Sequence, residues 1–398
     1  MTVHVYTFAE APVQLWGLSS RQRLERMLGN LKVNSWLADP AAAPTADHVL
    51  LVRGDYLYDD RLLRGLIDKP GTVLHTAASQ GQAVAACVAA PDAALVCRFL
   101  NGDLEETELP TLAFVTPQTL ATTYLQILRK IDTPYLLPIT ATNRQQLEKR
   151  LFSGSYKGVT DLVTKWLWPV PAQWATGFCV RRGITPNQVT SVSLALVIIA
   201  GLAFLNGLFA LGLVAAWLMT FLDTVDGKLA RVTVNSSAFG HIFDHAIDLI
   251  SPPFWYLAWG LGLASWQPGI PLSLKTAIWL IFVAYIAGRL AEGLFKQVLE
   301  PSGIFCWRPI DSWFRLITGR RNPNLVLLTL GLIAGRPDLG LLAVTLWTVA
   351  SSLFLLVRLL LGLRERMAGR PLRSWFLEVD PEAKKPTLAA RCFSTRRS

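Results

Sequence analysis

Cysteine and histidine are scarce in this chain, with five of each among 398 residues. Cys87, Cys97, Cys179, Cys306 and Cys392 show no paired or C-x-x-C spacing, which argues against a disulfide framework or a zinc ribbon and fits a reduced compartment. Charge is sparse too: 17% of residues are charged and 52% are hydrophobic, too apolar for an ordinary soluble protein. Acidic residues are the scarcer sign, 28 against 38 Lys and Arg, for a net charge of +10. The excess cations sit beside apolar stretches and in the tail at Arg391, Arg396 and Arg397. Topology and anionic lipid account for them, and no nucleic-acid partner is implied. The N-terminal M-T-V-H-V-Y-T-F has no basic region followed by an apolar core, so no signal peptide is expected and the first part of the chain is placed in the cytosol.

What the chain has in quantity is long hydrophobic runs, and they are confined to its second half. Six stretches approach the roughly 20 residues that span a bilayer: about 188–205, 207–226, 244–264, 272–293, 323–336 and 339–362. The fifth is short. Connections near Asn206-Gly207 and 264–271 carry no basic residue and that near Arg336 carries one, whereas the opposite loops hold Lys228, Arg231, Lys296, Arg308, Arg315, Arg320, Arg321, Arg364 and Arg366. This asymmetry predicts a multi-pass protein of the cytoplasmic membrane with both termini in the cytosol. Residues 154–182 mix Trp166, Trp168 and Trp174 with Lys157, Lys165, Arg181 and Arg182. That mixture suits the membrane interface, either as a tether or as a helix whose Asp161 or Lys165 reaches a site.

Residues 1–150 alternate differently. His4–Phe8, His48–Val52, Thr72–His75 and Ala94–Leu100 read as strands, and Ser20–Leu31 and Asp60–Ile67 as helices, which predicts a soluble α/β domain with a mostly parallel sheet. The expected organisation is a soluble domain over 1–150, an interfacial segment over 151–187, a helical membrane domain over 188–366 and a basic tail over 367–398, loose from 378 onward.

Between Asp223 and Asp248 the chain reads D-T-V-D-G-K-L-A-R, eight residues, then G-H-I-F-D-H-A-I-D. Asp223 and Asp226 are three apart and Asp244 and Asp248 four apart, so on helices each pair shares a face with Cβ atoms about 5–6 Å apart. Four carboxylates at a membrane edge repel one another, and the usual remedy is a bound divalent cation, here two. Oxygen-only ligands favour Mg²⁺ or Mn²⁺ over zinc. His241 and His245 flank the cluster as ordinary loop or interface histidines or as further ligands, and Arg289 and Glu292, three apart, read as an ion pair or a functional pair.

These residues match D-x-x-D-G-x-x-A-R-x8-G-x-x-x-D-x-x-x-D at every fixed position, a pattern that resembles the CDP-alcohol phosphotransferases; G-I-T-P-N-Q-V-T at 183–190 is similar to the segment that leads into the same motif. The resemblance covers residues 154–366. It implies transfer of a phospho-alcohol group from a CDP-linked donor, such as CDP-diacylglycerol, to the hydroxyl of an alcohol or polyol phosphate, with release of CMP, in phospholipid synthesis. It further implies a homodimer among membrane lipids, with Asp223, Asp226, Asp244 and Asp248 as metal ligands. Asp248 would take the acceptor proton, while Gly227, Ala230 and Gly240 would leave room for cytidine and Arg231 would contact donor phosphate. Arg320 and Arg321 could bind a phosphate on the acceptor or lipid, or act as topology determinants.

His48–Val52 followed by R-G-D-Y-L-Y-D-D-R-L-L resembles the central strand and G-D element of sugar-phosphate nucleotidyltransferases, with Asp55 at the metal-binding position. The stretch after the first strand, A-E-A-P-V-Q-L-W-G-L-S-S-R-Q-R, has one glycine and no G-x-G to cradle a triphosphate. The expectation is a degenerate domain; the alternative is a bifunctional enzyme of the inositol-phosphate cytidylyltransferase/phospholipid synthase type. A six-helix transporter is a third reading, disfavoured because all four aspartates lie at one membrane side.

Overall fold

The computed structural model describes residues 2–76, 81–109, 111–235, 238–380 and 385–394, with backbone alone for 238–246. The chain forms two compact units, one of residues 1–125, 132–154 and 232–235, the other of 126–131, 155–231 and 236–398.

The first unit is built on six strands: β1 (Val3–Phe8), β2 (Ser35–Trp36), β3 (His48–Arg53), β4 (Thr72–His75), β5 (Ala83–Ala89) and β6 (Ala113–Val115), in the order β2-β1-β3-β5-β4-β6. Only β5 runs antiparallel to its neighbours, so the sheet is mostly parallel with one reversed strand. The helices expected at Ser20–Leu31 and Asp60–Ile67 are α1 (Ser20–Asn30) and α2 (Asp60–Asp68). Ser19 and Gln22 cap α1 reciprocally, satisfying two otherwise orphaned N–H groups.

Two assignments differ. The strand expected at Ala94–Leu100 is a helix, α3 (Ala93–Asn101), closed by left-handed Gly102 at φ +89°. Its buried residues Ala93, Val96, Cys97 and Leu100 recur at helical spacing, a period hidden in a nearly continuous apolar run. The unforeseen β5 reads A-V-A-A-C-V-A, alanine-rich and poor in strand propensity, and lies buried between β3 and β4. Residues 232–235 also belong to this unit: buried Arg23 donates to the carbonyls of Leu15 (3.1 Å) and Val232 (2.7 Å), and Arg26 donates to Thr233 (2.7 Å).

The second unit is helical. Helix α4 (Pro169–Arg181) precedes α5 (Pro186–Leu205), α6 (Phe209–Val232), α7 (Ala238–Leu261), α8 (Leu274–Leu294), α9 (Pro309–Ile317), α10 (Arg321–Ile333) and α11 (Pro337–Met367). Helices stand at all six expected positions, but only four among the described residues are long and apolar enough to cross a membrane: Pro186–Leu205, Phe209–Val232, Leu274–Leu299 and Pro337–Met367. Six spans are therefore not shown among the described residues. At 13 residues α10 measures about 20 Å against a hydrocarbon core of about 30 Å. Its first turn is instead devoted to polar residues.

Aromatic rings join these helices. Trp259 of α7 packs on Phe204 of α5 (centroids 5.0 Å apart) and Phe209 of α6 (4.4 Å), and donates to the Pro337 carbonyl at 3.0 Å. The tail is not loose in its described part. Helix α12 (Leu388–Phe393) seats fully buried Phe393 against Trp313 (5.2 Å) and Trp375 (6.4 Å), and Ser394 bridges Ile131. A short aromatic anchor among small residues carried no periodicity to announce it.

Where α5 and α7 end they touch backbone to backbone: a Cβ on Gly262 would collide with the Phe204 carbonyl oxygen. Gly262→Ala should therefore destabilise the helical unit by about 1–3 kcal/mol, read as a lower thermal unfolding midpoint in detergent. An unchanged midpoint would show that the contact is loose.

Candidate active site

Asp223 and Asp226 lie in α6, Asp248 lies in α7, and Arg321, Asn322 and Asn324 open α10. The guanidinium of Arg321 spans the first two helices: Nη2 donates to Asp223 Oδ2 at 2.6 Å and Nη1 donates to Asp248 Oδ1. One cation thus compensates two carboxylates from different helices, a pairing that suits the rigid fork of donors on a guanidinium. The sequence offers Arg321 as a phosphate ligand or topology determinant; in the structure its carboxylate partners are Asp223 and Asp248.

Asp226 turns elsewhere. Its carboxylate is buried and accepts from Thr190 Oγ1 of α5 at 2.8 Å, so the three-residue spacing delivers Asp223 and Asp226 to different partners. Thr190 ends the 183–190 segment, and Thr185 caps α5 just before it through a reciprocal bond with Gln188. Gly227 has a clear local purpose: a Cβ there would stand 3.0 Å from Arg231 Nη2, so glycine lets that guanidinium fold over the helix. Ala230 is half-buried on the same helix. Asp244, Gly240, His241 and His245 lie where side chains are outside the description, and their roles rest on sequence alone.

Around the aspartates the unit collects further charge. Arg320 pairs with Glu292, which also meets Arg289 at 3.5 Å, so the expected Arg289–Glu292 ion pair is present and shared. Asp161 is buried and accepts from Asn322 Nδ2 at 2.9 Å and from the Thr164 amide and hydroxyl at 3.0 and 2.9 Å. Burial alone would raise the pKa of Asp161, but the charge of Arg315 and those hydrogen bonds hold it below the usual carboxylate range. Lys165 does not join: its Nζ donates to the Gly158 carbonyl at 2.9 Å. Burial and the neighbouring cations Arg231, Arg129 and Arg315 lower Lys157 to about 8, with Asp223 opposing.

Sequence reasoning missed Thr190, Asn322, Lys157 as a site residue, Arg315 as more than a loop cation, and Tyr285. Arg315 Nε and Nη1 are buried without a hydrogen-bond partner among the described residues, although Asp161 and Glu292 act on the guanidinium through their charge. Tyr285 of α8 donates to the Leu249 carbonyl at 3.0 Å and reaches the Asp248 carbonyl at 3.5 Å. Only the N-P-N at 322–324, polar residues inside an apolar run, offered a signal.

Among the described residues no three His, Cys, Asp or Glu side chains converge as a metal cluster. The donor chemistry nevertheless fits a hard divalent cation: Asp223 and Asp248 already share one positive group, and every candidate ligand is a carboxylate oxygen.

Comparison with known proteins bears on this geometry. Residues 183–304 match the family model described as CDP-alcohol phosphatidyltransferase. The chain is similar to cholinephosphotransferase 1 of Danio rerio, 32% identical over 128 residues, covering 29% of this chain and 32% of the relative. It is similar to the phosphatidylinositol phosphate synthase of Streptomyces avermitilis, 36% identical over 75 residues, 19% of this chain and 31% of the relative. It is also similar to the archaetidylinositol phosphate synthase of Pyrococcus horikoshii, 40% identical over 70 residues, 17% and 37%. Each match spans about a third of the relative's length. The stretch matched by the family model holds the paired aspartates, so the likeness to a CDP-alcohol phosphatidyltransferase domain lies in residues 183–304.

Proposed function

We propose that the protein transfers a phospho-alcohol group from a CDP-linked donor to an acceptor hydroxyl, releasing CMP, in phospholipid synthesis. The observation that carries this reading is the meeting of Asp223 and Asp248, both within the matched residues 183–304, on the guanidinium of Arg321. Asp223, Asp226, Asp244 and Asp248 would hold a divalent metal, which when bound would neutralise charge on the pyrophosphate oxygens. Thr190 fixes the rotamer of Asp226 through its hydroxyl. Asp248 accepts the proton of the acceptor hydroxyl; held geometry compensates for the weak basicity of a carboxylate. Arg231, folded over Gly227, contacts donor phosphate, and Gly227, Ala230 and Gly240 admit the cytidine. Lys157 and Arg315 favour an acceptor that itself carries a phosphate, since Arg315 keeps buried donors without a partner among the described residues. The site faces the cytosol in the orientation that the basic loops favour.

Purified protein supplied with CDP-diacylglycerol, Mg²⁺ and a panel of polyols and their phosphates tests the reading through CMP release and lipid product mass. Activity should vanish in EDTA, and phosphorylated acceptors should be used at least tenfold better than the free alcohols. Asp248→Asn should retain donor binding while releasing little CMP, whereas Asp223→Asn should lose both. Turnover in chelator would overturn the metal-dependent reading; equal loss of donor binding in the two variants would make Asp248 chiefly a ligand.

For the first unit we favour a domain that does not transfer cytidylyl groups. Asp55 is engaged by Arg53 through two bonds, Nε to Oδ1 at 3.0 Å and Nη2 to Oδ2 at 2.7 Å, so its carboxylate is already paired. Asp55→Ala in the full chain should leave phosphotransfer within about twofold, and the protein should yield no pyrophosphate from CTP and a polyol phosphate. Pyrophosphate release abolished by Asp55→Ala would establish the bifunctional alternative.

A further inference from the structure

Two consecutive prolines, Pro252 and Pro253, lie inside α7 one turn beyond Asp248. A proline has no N–H, so each removes the ladder bond to the carbonyl four residues earlier. The carbonyls released are those of Asp248 and Leu249. Released carbonyls in an apolar surrounding need a donor. The structure supplies one from a neighbouring helix: Tyr285 Oη donates to Leu249 O at 3.0 Å and stands 3.5 Å from Asp248 O. The hydroxyl is in turn a partner of Arg289, whose Nη2 donates to it at 3.3 Å and whose guanidinium lies 5.1 Å from the ring centroid. Arg289 meets Glu292, and Glu292 meets Arg320.

We propose that Tyr285 is a positioning residue for Asp248, replacing the helical bonds that Pro252 and Pro253 remove and so fixing the backbone from which the Asp248 carboxylate projects. An unbroken ladder would hold Asp248 only against its own helix. The broken one ties its backbone to α8, the helix that carries the Arg289–Glu292 pair. The carboxylate, joined to Arg321 of α10, is then held from two directions: its backbone by α8 and its side chain by α10. Tyr285 touches no reacting atom in this scheme. Its effect passes through the carbonyl group.

The inference rests on the proposed role of Asp248, and the test separates the two. Tyr285→Phe removes the donor and keeps the ring. It should lower kcat for CMP release by about three- to tenfold, the worth of one hydrogen bond, while KM for CDP-diacylglycerol stays within about twofold. Pro252→Ala together with Pro253→Ala restores the N–H groups. In that background Tyr285→Phe should cost less than twofold, because the carbonyls now have partners within their own helix. Hydrogen exchange of peptides covering residues 248–262 gives a second readout that needs no turnover. It should quicken in Tyr285→Phe and return toward the parent rate when the prolines are also replaced. If the proline double variant does not fold, the single replacements Pro252→Ala and Pro253→Ala serve, with the second giving the larger rescue because Leu249 O is the shorter bond. Coupled exchange without any CMP release from the parent protein would overturn the proposed reaction and leave the positioning intact. Equal losses from Tyr285→Phe in both backgrounds, or an unchanged exchange rate, would overturn the positioning role itself.

Discussion

Carboxylates from two apolar helices must be compensated before those helices can pack, and the rest of the second unit is arranged around that requirement. Leaving a buried charge without its partner costs about 3–5 kcal/mol, comparable to the whole stability of many domains. Arg321 meets the need for Asp223 and Asp248 at once, Thr190 meets it for Asp226, and Asn322 and Thr164 meet it for Asp161. This explains why α10 is too short to cross a bilayer. Its N-terminal residues Arg321, Asn322 and Asn324 serve as donors to α6, α7, α11 and the segment around Asp161, and apolar residues in their place would leave those acceptors empty.

The same requirement separates what the sequence could reveal from what it could not. The D-x-x-D-G-x-x-A-R pattern was legible because its residues lie within 26 positions and their spacing alone restricts the chemistry. The partners were not. Thr190 is 36 residues from Asp226, Arg321 is 98 from Asp223, and Asn322 is 161 from Asp161, separations over which no local rule speaks. Among secondary elements, α1, α2, β1, β3 and β4 followed from capping residues and alternation. Helix α3 was mistaken because an apolar stretch broken only by Arg98 satisfies both periods, and the decisive marks, Pro91 before and Gly102 after, lie outside the run. Trp375, Phe376 and Phe393 carried the tail into the core, and aromatic residues so scattered in a basic terminus make no period.

The basic residues of the loops present a different question, because several read as topology signals are found inside the structure. Lys228 is buried, its Nζ 3.3 Å from the Tyr156 ring centroid and donating to the Ser155 carbonyl, and Arg320 and Arg321 are paired with carboxylates. The two roles do not compete. Orientation is decided as segments enter the membrane, before distant partners have met, and at that stage every Lys or Arg in a short loop counts whatever it later touches. In the folded unit Glu292 pairs with Arg320, and Asp223 and Asp248 pair with Arg321. A cation that both retains a loop on one side and later neutralises a carboxylate there ensures that the acidic cluster and its compensating charges arrive on the same face, which unpaired aspartates alone could not secure.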